Sequence, residues 1–154
     1  MAERIQISRS ADETLLLGER IGRAALPGDV VALFGGLGAG KTVLAKGILR
    51  GLGGHPDDAA SPTFTLLREY QARLTLHHFD AYRLHEPREL LEIGAEEALY
   101  GDGLCVIEWA ERVLEALPPD RLEVRLEVVG KARRRVRLSA AGPRSEALLA
   151  RIEL

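Results

Sequence analysis

The chain has 154 residues, a net charge of −2 and one cysteine, Cys105. That length suits a single domain with a substantial core, and the near-neutral charge gives no global attraction to nucleic acid or to an anionic membrane. No apolar run approaches the ~20 residues of a membrane helix, and a lone cysteine in an apolar strand builds neither a disulfide framework nor a thiolate metal site. Met1–Arg4 lead into no apolar stretch of the kind a signal peptide carries, so a reducing cytoplasm is the expected setting.

Taken in order, Ile5–Ser8 read as a short strand. Ser10 with Glu13 three residues on forms a capping box, and Leu17, Ile21, Ala24 and Ala25 recur at helical spacing, which predicts a helix over 11–25. Pro27-Gly28-Asp29 ends it and leads into the apolar run Val30–Phe34. That run feeds Gly35-Gly36-Leu37-Gly38-Ala39-Gly40-Lys41-Thr42, after which Val43–Leu49 continue as a helix. Gly51, Gly53 and Gly54 stop it near Leu52. Beyond Pro62, residues 64–70 predict a strand, and Gln71-Ala72 turn it back into 73–80 as an antiparallel hairpin. Short helices follow over 89–94 and 95–100. Leu104–Trp109 is a continuous apolar run ending in an acid, the pattern of a buried parallel strand. A helix over 110–116 stops at Pro118-Pro119. Residues 122–128 alternate cleanly and pair with 133–138 across Gly130-Lys131. The outward charges of this late hairpin are read as protecting a sheet edge. A short, frayed helix spans 145–154.

The glycine loop carries the chemistry. It fits Gly-x-x-x-x-Gly-Lys-Ser/Thr, between a strand and a helix. Glycines let successive backbone N–H groups turn inward on a phosphate, and the helix adds free N–H groups and its positive end. Leu37, Gly38, Ala39, Gly40, Lys41, Thr42 and Val43 are therefore the candidate nucleotide-binding residues. Lys41 reaches the β and γ phosphates and Thr42 binds Mg²⁺. Hydrolysis also needs acids that hold the metal and handle water. Glu108 and Asp80 stand at strand ends, where such sheets bind ligands. Glu108 is the candidate metal acid. Asp80 would serve the metal's outer shell or the attacking water. Trp109, directly after Glu108, is either packing or a contact to nucleotide or partner.

Other features leave alternatives open. Ser61-Pro62-Thr63 is either a γ-phosphate-responsive segment or a stiffened strand entry. His77 and His78 face opposite sides of a strand, poor geometry for a shared metal and better suited to packing or hydrogen bonding. The basic run Lys131, Arg133, Arg134, Arg135 and Arg137 reads as an exposed edge, with nucleotide-base or partner contact as the alternative.

Four segments in this order resemble the TsaE family (also called YjeE): Gly-Gly-Leu-Gly-Ala-Gly-Lys-Thr, Ser-Pro-Thr-Phe-Thr-Leu, His-His-Phe-Asp-Ala-Tyr-Arg-Leu and Ile-Glu-Trp. The resemblance spans about residues 8–139. It implies a three-layer α/β/α P-loop domain with a mixed sheet, binding ATP or ADP with Mg²⁺ and hydrolysing ATP slowly. It implies partnership with the TsaB–TsaD pair in making threonylcarbamoyladenosine in tRNA, with tRNA met only through that pair. It aligns Lys41 and Thr42 with phosphate and Mg²⁺ positions, Glu108 with a metal-site position, and Asp80 and Trp109 with residues tied to activity. Ser10 falls where the family contacts the nucleotide base. The family often has Asp where Gly36 stands and Thr where Val43 stands. A small-molecule kinase and a non-catalytic nucleotide-gated binding module are the rival functions.

Overall fold

The computed structural model describes residues 2–56 and 66–154, so the expectations for 57–65, including Ser61-Pro62-Thr63, lie outside the described residues. The described chain runs β1 (Ala2–Ser8), α1 (Ala11–Ala24), β2 (Val30–Phe34), α2 (Lys41–Gly51), β3 (Leu67–Tyr70), β4 (Leu76–Asp80), α3 (Arg88–Glu92), α4 (Ala95–Leu99), β5 (Leu104–Glu108), β6 (Leu122–Val128), β7 (Arg134–Ala140) and α5 (Pro143–Arg151).

The strands form a mixed sheet in the order β1-β7-β6-β2-β5-β4-β3. β6, β2, β5 and β4 are parallel neighbours, whereas β3 runs antiparallel to β4, and β7 to both β6 and β1. β2 and β5 are buried throughout, as their unbroken apolar runs require of strands covered on both faces. Alternation splits β2. Val31 and Leu33 join Leu17 and Ile21 of α1, Leu44 and Ile48 of α2, and Leu148 and Leu149 of α5. Val30, Ala32 and Phe34 face the opposite core with Leu90, Leu99 and Val113. Helices cover both faces of the sheet, in the three-layer α/β arrangement expected. Cys105 is buried, donates to the Ala98 carbonyl at 3.1 Å, and burial pushes its thiol up to about 12. It is an inert core residue.

α1 and α2 touch backbone to backbone. Gly18 and Gly22 of α1 face Gly47 and Gly51 of α2. A Cβ on Gly47 would stand 2.1 Å from the Leu15 carbonyl oxygen, and one on Gly18 would stand 2.3 Å from that of Leu44. Gly51, expected only as a stop signal, is thus also a contact residue. This crossing fixes α2, and with it the loop at its N-terminus.

Several expectations change. The 122–138 hairpin is not at an edge, because β1 pairs with β7 along its whole length and β6 pairs with β2. The helix over 110–116 is two 3₁₀ turns, Ala110–Arg112 and Leu114–Ala116, since Trp109 is left-handed and Val113 leaves the helical region at φ −134°. The second hairpin strand starts at Leu76, not 73, so the connection from Tyr70 is a five-residue loop rather than a tight turn. The terminal helix spans Pro143–Arg151 rather than 145–154, and it is not frayed at its core face, where Leu148 and Leu149 are buried. Ser10 caps α1 through Glu13 N at 3.1 Å, but the Glu13 carboxylate accepts from Arg9 N instead of closing the box on Ser10.

α5 begins after Gly142, which has no side chain to cap it. Asp120 does so from the approach to β6, accepting from Arg144 N at 2.9 Å, Ser145 N at 2.9 Å and the Ser145 hydroxyl at 2.6 Å. Burial pushes this carboxyl up, but the bonds from Ser145 and Arg144 outweigh burial and hold it below its ordinary value. A depressed carboxyl stabilises the fold above its unfolded pKa and loses that contribution as pH falls through the folded value. Asp120→Ala is therefore expected to cost ~1 kcal/mol at pH 7, a fall of roughly 2–4 °C in melting temperature. Melts over a pH series should show the gap to wild type closing as pH drops below 3.8.

Candidate functional site

The parallel strands end along one edge, and the site is assembled there. β2 delivers the loop 35–40. β5 delivers Glu108. β4, in register with it, sets Asp80 opposite Glu108. Gly38 (φ 73°) and Gly40 (φ 108°) take left-handed backbone conformations that other residues enter at a cost of ~1–2 kcal/mol. Gly36 is different: a Cβ there would meet nothing within 4 Å, so space does not demand glycine. Lys41, Thr42 and Val43 open α2, where N–H groups have no intrahelical acceptor.

Lys41 is only 5% exposed. Its ammonium donates to the carbonyls of Gly35 and Gly36 and sits 3.8 Å from the centre of the Trp109 ring. Burial lowers its pKa, against the opposing pull of Glu108, Glu111 and Asp80. Trp109 is the one non-glycine residue with positive φ (59°) among the described residues. That strained turn at the end of β5 brings the indole back over Lys41 and against Tyr82, with ring centres 4.9 Å apart. Arg112 lies outside this stack, 5.2 Å from the Tyr82 ring centre.

Glu108 is almost fully buried and carries two bonds. Its Oε1 accepts from the Thr42 hydroxyl at 3.1 Å, and its Oε2 lies 2.6 Å from His78 Nε2. Two oxygens this close, one carboxylate and one hydroxyl, suit a hard divalent cation such as Mg²⁺. Among the described residues no cluster of three or more His, Cys, Asp or Glu forms a metal cage. The donor set therefore fits Mg²⁺ brought in with phosphates and still holding waters, and does not fit a self-contained structural metal.

Leu37–Val43, Glu108 and Trp109 line one cavity of about 280 Å³. Ser10 does not reach it. Ser10 lines a neighbouring cavity of about 270 Å³ on the other side of the loop, with Thr14, Val43, Lys131 and Arg134. The two share the segment 38–40 and Val43, so a ligand with an anionic end and a flat end could span both. Asp80 lines neither; its Oδ1 accepts from Tyr82 N at 2.9 Å, fixing the turn that carries Tyr82 to Trp109.

Sequence reasoning missed the roles of two contributors, His78 and Arg134, whereas Thr14 was paired with Ser10 as a helix-start residue with nucleotide contact as the lesser reading. His78 emerges as the partner of Glu108, visible only once β4 and β5 are paired. Arg134 donates to the carbonyls of Ala39 (3.2 Å) and Gly38 (3.1 Å), tying the turn between β6 and β7 to the loop. The basic run held this residue but gave no sign of which arginine turns inward. Thr14 reaches the second cavity from α1, and its hydroxyl bonds Ser8 at 2.7 Å.

A profile of the family described as "Threonylcarbamoyl adenosine biosynthesis protein TsaE" matches residues 8–136. The chain is 46% identical over 130 residues to the tRNA threonylcarbamoyladenosine biosynthesis protein TsaE of Treponema pallidum, covering 84% of this chain and 96% of that protein. It is 39% identical over 138 residues to the protein of the same name from Bacillus subtilis, covering 89% and 85%. The crystal structure of Bacillus subtilis YdiB superposes with a TM-score of 0.84 at 33% identity, covering 98% of this chain and 94% of that one.

Proposed function

Since the chain belongs to the TsaE family of tRNA threonylcarbamoyladenosine biosynthesis, we propose that it binds ATP with Mg²⁺ on the loop 35–42 and hydrolyses it slowly, as an accessory ATPase acting on the TsaB–TsaD transferase pair. The observation that carries this reading is the meeting of Lys41, Thr42 and Glu108 at the mouth of one glycine loop, with Thr42 Oγ1 and Glu108 Oε1 3.1 Å apart. Lys41 turns from the loop carbonyls toward the β and γ phosphates, exchanging neutral acceptors for charged ones. The backbone N–H groups of residues 38–43 cradle the same phosphates. Thr42 and Glu108 hold Mg²⁺, which would neutralise charge on the transferring phosphoryl group. Asp80, opposite Glu108 in the β4–β5 register, would serve the metal's outer shell or the attacking water. Trp109 closes the site against nucleotide or partner, and the base lies beside Ser10, Thr14 and Arg134. Val43 offers no hydroxyl to the phosphates but keeps its N–H.

The setting proposed is the cytoplasm, with tRNA engaged only through the transferase pair. Among the described residues no helix is long and apolar enough to cross a membrane. The reading is tested by phosphate release from Mg²⁺-ATP by the purified chain, alone and with the TsaB–TsaD pair. Slow release that rises with the pair is expected. Phosphoryl transfer to a small-molecule acceptor in a substrate screen, with no response to the pair, would replace it with a kinase.

A further inference from the structure

Glu108 is nearly fully buried, and a buried carboxylate is costly unless its oxygens are held. Thr42 holds one. The other is held by His78, a side chain with no exposure at all. The β4–β5 register explains the reach. His78 pairs with Val106, and Glu108 lies two residues further along on the same face of the neighbouring strand. The imidazole therefore leans along its strand toward the carboxylate. His77, on the opposite face, turns away to Glu69.

A carboxylate oxygen only accepts, so the ring donates through Nε2–H. Nδ1 is buried without a hydrogen-bond partner among the described residues. Among the described residues the ring thus has one polar contact, Glu108. A histidine kept for packing alone would not need its nitrogen 2.6 Å from the carboxylate that meets Thr42.

We propose that His78 is the positioning residue of the metal site: its Nε2–H fixes Oε2 of Glu108 so that Oε1 is presented beside the Thr42 hydroxyl, where Mg²⁺ binds. The inference rests on the Mg²⁺-ATP reading above and adds to it the group that aims the carboxylate. Among the described residues, the hydrogen bonds that hold the Glu108 carboxylate come from Thr42 and His78. Without the imidazole the carboxylate swings off the line to Thr42, and the metal loses a pre-aimed ligand while the loop and Lys41 are untouched.

The test compares wild type, His78→Leu and His78→Gln, whose amide nitrogen can stand where imidazole Nε2 stands. ATP affinity is measured by calorimetry with Mg²⁺ and with EDTA, and the His78 tautomer is read by ¹⁵N NMR in the chain without nucleotide. Binding in EDTA should be alike in all three. The tightening produced by Mg²⁺ should fall ~10-fold or more in His78→Leu and largely return in His78→Gln. NMR should show Nε2–H. A leucine variant that keeps the wild-type Mg²⁺ response, a glutamine variant no better than leucine, or an Nδ1–H tautomer overturns the inference. Should leucine fail to fold, the glutamine variant and the tautomer decide it. A wild type with no Mg²⁺ response would overturn the functional reading and this inference together, whereas a responsive wild type with an equally responsive leucine variant removes the inference alone.

Discussion

Lys41→Ala is expected to weaken ATP binding about 100-fold while the chain stays folded. An ammonium bonding to phosphate oxygens makes charge-assisted contacts worth ~1.5–3 kcal/mol each, and each 1.4 kcal/mol is a factor of ten. The ammonium already has neutral partners, the carbonyls of Gly35 and Gly36 and the indole face of Trp109. Leaving them subtracts from the gain, which leaves about 3 kcal/mol net from the two phosphate contacts. Lys41 opens α2 just after the glycine loop. In the fold it is 5% exposed, so its loss is felt by the apo chain too. The balance is small: two hydrogen bonds disappear, and so does a charge that burial disfavours. A melting shift of only a few degrees should accompany the loss of affinity. Calorimetry with Mg²⁺-ATP beside a thermal melt checks both, and wild-type affinity in the variant would contradict the assignment of Lys41.

Gly47→Ala should destabilise the fold by ~3 kcal/mol, lowering the melting temperature by roughly 6–12 °C. Helix propensity argues the other way, since alanine in a helix interior is favoured over glycine by ~1 kcal/mol. Sterics win. The new Cβ would stand 2.1 Å from the Leu15 carbonyl oxygen and 2.9 Å from the Gly18 Cα, both backbone atoms of a packed helix. No side chain can rotate away, so α1 and α2 must separate. The core between them and β2 then opens, including Ile21 and Ile48, both fully buried. The loop rides on the N-terminus of α2, so nucleotide affinity should fall as well. Gly36→Ala is the control, because nothing lies within 4 Å of its Cβ. Equal melting temperatures for Gly47→Ala and wild type would show that the helices tolerate separation.

What the sequence made legible was local. The strand, glycine loop and helix at 30–51 announce themselves because their periodicity and glycine spacing lie within one short stretch. Lys41, Thr42 and Glu108 stand out as candidates for the same reason: each ends or begins an element whose identity is written in its own residues. What escaped depends on pairings far apart in the chain. His78 matters only because β4 lies beside β5 in a particular register. Gly18, Gly22, Gly47 and Gly51 look like weak helix residues until two helices cross on them. The 122–138 hairpin looked like an edge because nothing in its sequence shows that Ala2–Ser8, over a hundred residues earlier, will pair along β7. The helix over 110–116 failed for a different reason. Trp109 adopts a left-handed turn to bring its ring over Lys41, and a following α-helix is lost to that turn. Local propensity yields there to the site.

We propose that ATP turnover at Lys41, Thr42 and Glu108 resets the TsaB–TsaD pair between rounds of tRNA modification. The most direct measurement is threonylcarbamoyladenosine formed over many turnovers by the TsaB–TsaD pair with tRNA, compared without this chain, with wild type, and with Glu108→Ala. Sustained turnover with wild type, and a stop after about one round either without the chain or with Glu108→Ala, is the predicted result. Full multi-turnover modification with a Glu108→Ala protein that binds ATP but does not hydrolyse it would contradict the account, and would make the chain a nucleotide-gated binding module.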